Sequence, residues 1–160
     1  MPRIGPLLAL SREHHQTLVM ARDARRAAVS NDEAVLSRMI ARMEDHWHNV
    51  MADHCRREER LVKVAEDSLD PDSVARFISE HEELQRLGTG TCQLSPVIRL
   101  QRFADLASAH VRYEERVFFS QLQSHPSIAS STEPDNSGHG HLERVNIDSL
   151  RDIGDVDEFP

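Results

Sequence analysis

The nine residues HCRREERLV, beginning at His54, return in altered form as HVRYEERVF, beginning at His110. In each copy a histidine precedes a glutamate by four positions, His54 with Glu58 and His110 with Glu114. On a helix that spacing places imidazole and carboxylate on one face. Turned to water, such a pair adds little beyond solubility. Turned inward from two helices, the same pairs would surround a cation with nitrogen and oxygen donors. Two more histidines lie in acidic-apolar contexts, His14 in LSREHH and His81 in SEHEEL. Burying an unpaired carboxylate is costly, and two that face each other demand a counter-charge. A pair of metal ions would supply it and would require neutral imidazoles. The donor set is therefore His14, His54, Glu58, His81, His110 and Glu114. It has no thiolate, which favours iron or manganese and leaves zinc open.

Helices must carry these residues. The first is expected from Pro6 to Val29, with Leu7, Leu10, His14, Leu18, Ala21 and Ala28 on its inward stripe. His15 points about 100° away, so His14 is the inward candidate unless the entry angle of the helix rotates the choice. Ser30-Asn31-Asp32-Glu33 has capping-box spacing and opens a second helix running to about Asp67. Its stripe reads Val35, Met39, Met43, Trp47, Val50 or Met51, His54, Glu58 and Leu61, with His46 and His48 flanking it. A third helix follows Pro71 and reaches Leu87, with Val74, Phe77, Ile78, His81 and Leu84 inward. Ser95-Pro96 starts the fourth, whose inner face is Leu100, Phe103, Ala107, His110, Glu114, Val117 or Phe118, and Leu122. In each row polar donors interrupt apolar positions. Short connections favour an all-α fold, an antiparallel up-down-up-down four-helix bundle over residues 1–123.

Residues 124–160 read as a largely irregular acidic tail. They carry two basic and eight acidic side chains, whereas residues 1–123 carry 17 and 19, so the tail holds −6 of the net −8. The tail is a candidate surface for a protein partner. His139 and His141 stand in a Gly-rich stretch and are read as part of a mobile segment rather than as ligands. No basic patch interleaved with aromatics speaks for nucleic acid, and no apolar run is long enough to span a membrane. The two thiols, Cys55 and Cys92, share no close motif and suggest a reducing, cytoplasmic setting, with Cys55 a packing residue.

Taken in order, LSREHH, HCRREERLV, SEHEEL and HVRYEERVFF resemble the hemerythrin-like, or HHE cation-binding, family over roughly residues 7–122. The resemblance implies a four-helix bundle around two iron ions, oxygen- or carboxylate-bridged. It implies His14 and His54 on one iron, His81 and His110 on the other, and Glu58 and Glu114 between them. The implied function is binding or sensing of dioxygen or a related small oxidant such as peroxide or nitric oxide. A di-iron peroxidase or oxidase and a metal-free helical interaction scaffold are the alternatives. Two departures matter. Oxygen-carrying members have a histidine where this chain has Gln85, which could instead donate a hydrogen bond to a bound water or oxygen species. Their helix-four carboxylate comes five residues after its histidine, a position filled here by Glu115, so a locally widened helix would make Glu115 the ligand. Glu59, the matching second acid of the earlier copy, is expected to face solvent. Met39, Met43, Trp47, Phe77, Phe103 and Phe118 are expected to wall the site.

Overall fold

Proline or a short acidic side chain opens the long helices, because their first backbone donors have no partner within the helix. In the computed structural model, which describes Arg3 and residues 5–130, helix α1 spans Pro6–Ser30 and ends at Asn31, which adopts a left-handed φ of 50°. Asp32, rather than Ser30, caps α2 (Glu33–His46), its carboxylate accepting from the Val35 N–H at 2.9 Å. The Ser30 hydroxyl instead turns back to the Ala27 carbonyl. A π turn, Trp47–Met51, carries α2 into α3 (Ala52–Ala65), followed by a 3-10 turn at Glu66–Ser68. Asp70 caps α4 (Pro71–Thr89), which stops at Gly90 with φ 76°. Helix α5 (Pro96–Tyr113) continues through a second π turn, Glu114–Phe118, into α6 (Phe119–Ser124). A short α7 (Pro126–Ala129) comes last. The described residues are all-helical, with no strand among them.

Alanines at positions 21, 24, 27 and 28 are buried on α1, which packs along α5 and α2. They belong to one apolar cluster with Met39, Met43, Trp47, Leu84, Leu100 and Phe103. A second cluster gathers Leu7, Leu10, Val62, Phe77, Phe118 and Phe119. The polar donors interrupt the chain between these clusters: His14 follows Leu10, Glu58 precedes Val62, His81 lies between Phe77 and Leu84, and His110 and Glu114 lie between Ala107 and Phe118. A buried polar belt thus separates two apolar layers.

The π turns account for several shifts from simple helical spacing, since each adds a residue to its turn and rotates the helix beyond it. From Met51 to the end of α3 the buried positions are Met51, His54, Cys55, Glu58, Val62 and Ala65, so Met51 takes the place shared with Val50, and Val62 that of Leu61. His46 does not flank the stripe. It is 8% exposed, with Nε2 at 3.4 Å from the Thr17 hydroxyl, while His48 is exposed. Ile78 is an exposed residue rather than an inward one, and Phe118 rather than Val117 is buried. Ile128 on α7 joins the second cluster, C-terminal to residue 123. Most of the acidic tail, with His139 and His141, lies outside the described residues. No described helix is long and apolar enough to cross a membrane.

Candidate metal centre

All six expected donors are buried and converge. They form two groups, His14–His54–Glu58–Glu114 and Glu58–His81–His110–Glu114, whose donor atoms lie within 4.8 Å of one another. The two glutamates belong to both groups, and each divides its oxygens between them. Glu58 turns Oε1 to His54 Nε2 (3.0 Å) and His14 Nε2 (3.5 Å), and Oε2 to His81 Nε2 (3.3 Å). Glu114 turns Oε2 to His14 Nε2 (3.1 Å), and Oε1 to His110 Nε2 (3.1 Å) and His81 Nε2 (3.9 Å). Both carboxylates are 0% exposed. Their four oxygens, with His14 and His81 Nε2, lack a hydrogen bond of proper geometry. Buried polar atoms are almost always hydrogen-bonded, so six orphaned atoms aimed at one another fit cations held among them. These buried groups could hold a metal ion.

The widened turn in the second repeat begins at Glu114 and leaves His110 and Glu114 on one face. Glu115 therefore stays outside the centre, as does His15, which is exposed. Gln85 is exposed on α4 rather than turned into the centre.

Behind each imidazole stands another carboxylate. His14 Nδ1 donates to Glu115 Oε1 (2.7 Å), His54 to Glu13 Oε2 (2.8 Å), His81 to Glu59 Oε1 (2.9 Å) and His110 to Glu80 Oε2 (2.8 Å). A proton fixed on Nδ1 leaves Nε2 free to point at the centre, and the carboxylate makes that nitrogen more basic. Reading along one face at a time misses these four acids. The signals were the EH dyads Glu13-His14 and Glu80-His81 and the doubled glutamates of the repeats, in which the first acid turns inward and the second reaches another helix. Glu59 is half-exposed as expected of a surface acid, yet its carboxylate holds His81.

Without a cation, burial disfavours charge on the imidazoles, but neighbouring acids outweigh it. His14 is pushed up to about 10 by Glu114 and Glu58, and His110 to about 9 by Glu114 and Glu80. His81 reaches about 12 through Cys55, Glu58 and Glu59, and His54 is raised by Glu13 and Glu58. Burial would raise Glu58 as well, yet His14, His54 and His81 hold it well below the usual carboxylate range. Cations entering here would displace protons.

The rings are also packed. His14 and His54 meet edge to face at 4.9 Å, as do His81 and His110 at 4.9 Å. Phe119 stacks on His14 and Phe77 lies 4.1 Å from His81, itself stacked on Phe118. Met39, Met43, Trp47 and Phe103 belong to the other apolar layer. Comparison with protein-family models, curated proteins and solved structures finds no match to the chain.

Proposed function

We propose that the chain is a hemerythrin-like di-iron protein that binds or senses dioxygen or a related small oxidant. The observation that carries this reading is the division of Glu58 and Glu114, each offering one oxygen to the His14 side and one to the His81 side. Carboxylates placed this way suit two cations held side by side. The reading takes the fold as an antiparallel up-down-up-down four-helix bundle, with α2–α3 and α5–α6 each forming one long helix. The order of the apolar clusters supports it. The chain passes from the second cluster to the first along α1, back along α2–α3, forward again along α4 and back along α5–α6.

Iron suits a set of imidazoles and carboxylates that leaves coordination positions open. When bound, the iron pair would supply electron transfer to or from an oxygen species. The chain's own residues do the rest. Glu58 and Glu114 neutralise the cations, and the four backing carboxylates fix each histidine's tautomer and direction. Phe77, Phe118 and Phe119 keep bulk water from one side. A metal-free scaffold is the weaker reading, since it leaves four fully buried carboxylate oxygens without hydrogen bonds. The two free thiols, Cys55 and Cys92, favour a reducing, cytoplasmic setting.

Anaerobic purification with metal quantification, then spectra before and after oxygen exposure, tests the reading. It expects two irons per chain, one for each donor group, and an adduct that releases oxygen without net consumption. Sustained consumption of peroxide would move the reading to the peroxidase or oxidase class. A chain that binds no metal specifically would overturn it.

A further inference from the structure

A cavity of about 400 Å³ opens between α3 and α4, and its lining includes His81 and Cys55. Both are buried, at 3% and 6% exposure, so they form its floor. Three other cavities, lined around Met39, His125 and Val29, contain none of the six converging donors. His81 belongs to the donor set, its Nε2 3.3 Å from Glu58 Oε2, so the cavity floor is an imidazole of the centre itself. The cavity walls are fixed by Trp47, which lies so close to α4 that a Cβ at Gly88 would stand 2.8 Å from its ring. Ala52 leaves space where a larger residue would fill it.

We propose that this cavity is the entrance through which a small neutral molecule reaches the His81 side of the centre, an inference that rests on the metal-binding reading. Its rim selects against anions. Glu59 and Glu82 are exposed there, and the one rim cation among the described residues, Arg56, is also paired with Asp53 at 3.5 Å. A net negative mouth lowers the local concentration of anions and leaves neutral molecules unaffected. Dioxygen, nitric oxide and hydrogen peroxide meet the requirement, whereas azide does not.

Two variants would plug the opening from opposite walls, Ala52→Trp on α3 and Gln85→Trp on α4, neither of them in the donor set. In the full chain, with or without metal, modification of Cys55 by methyl methanethiosulfonate should slow at least about tenfold in both, while Cys92 reacts at its original rate. In the iron-loaded chain, nitric oxide association should slow by a similar factor, with metal content unchanged. Unaltered Cys55 labelling in both folded variants would overturn the entrance, as would unaltered nitric oxide association. A chain that takes up no iron fails the metal reading, while the labelling still decides whether the cavity leads to the floor.

Discussion

The two halves of the centre share a plan and differ in how firmly it is held. In each, two imidazoles meet edge to face and each is backed by a carboxylate. Behind His54, Glu13 is held by Arg57, and behind His14, Glu115 takes bonds from Ser11 (2.5 Å) and Arg3 (3.1 Å). In the other half only Glu80 has such support, from Arg76 at 2.8 Å. Glu59 has no arginine or lysine paired with it among the described residues, only His81 itself; it is 45% exposed and lines the α3–α4 cavity. Repeated sequence has thus given one braced half and one open half. Near-symmetric motifs can share ligands while a few cross-helix partners decide where exchange takes place.

Removing a shared acid should erase the comparison altogether. Glu58→Gln or Glu114→Gln should lower metal content from two ions per chain to one or none, read by elemental analysis after dialysis, because each residue serves both groups. Retention of two ions by both variants would contradict the shared role. The backing acids should separate the halves. Glu13→Gln should weaken metal retention by roughly 10–100-fold, the usual range for a partner of a ligating histidine. Glu59→Gln should cost less, because water already competes at its exposed carboxylate. Competition with a chelator reads both, and equal losses would remove the distinction.

Protons should separate the loaded from the metal-free state. Without metal, the raised histidines contribute stability that is full below their unfolded value of 6.5 and is lost as pH climbs through about 9 for His110, 10 for His14 and 12 for His81. Glu58, held low, contributes above 4.5 and loses that contribution as pH falls. Both contributions are full only between about 4.5 and 6.5, so the metal-free chain should be most stable there. Metal uptake at pH 7 should release protons, visible by calorimetry in buffers of different ionisation enthalpy. Affinity should fall with pH, and uptake without proton release would contradict the assignment.

A smaller effect is expected at Gly88, beside the open half. Gly88→Ala would push a methyl group to 2.8–2.9 Å from the Trp47 ring and should cost about 1–3 kcal/mol in denaturant unfolding. Smallest of all, breaking the exposed Arg25–Asp105 pair should cost under about 1 kcal/mol and leave both halves unchanged.

Which residues would meet was legible because a histidine and a glutamate four apart sit in an apolar row only when both turn inward. His14 was separable from His15 because it continues the stripe of Leu7 and Leu10, while His15 lies about 100° away. The acids behind the histidines were not legible, because each bonds to an imidazole on a different helix. Glu13 looks like a surface residue until α3 brings His54 beside it, and Glu115 until α1 brings His14. Leu61 was misplaced because a π turn changes the period partway along what reads as one continuous helix, whereas His46, three residues after the buried Met43, turns to Thr17 on α1. Gln85 was left open by analogy of position. It comes four residues after His81, yet it ends on the rim of a cavity rather than in the centre.

The shared carboxylates are tested most directly by X-ray absorption on the iron-loaded chain. Bridging by Glu58 and Glu114 requires a metal–metal scattering distance of about 3.5–4 Å, typical of paired sites, that disappears in Glu58→Gln and Glu114→Gln. Full iron occupancy with no metal–metal distance, or the same distance in both variants, would contradict it.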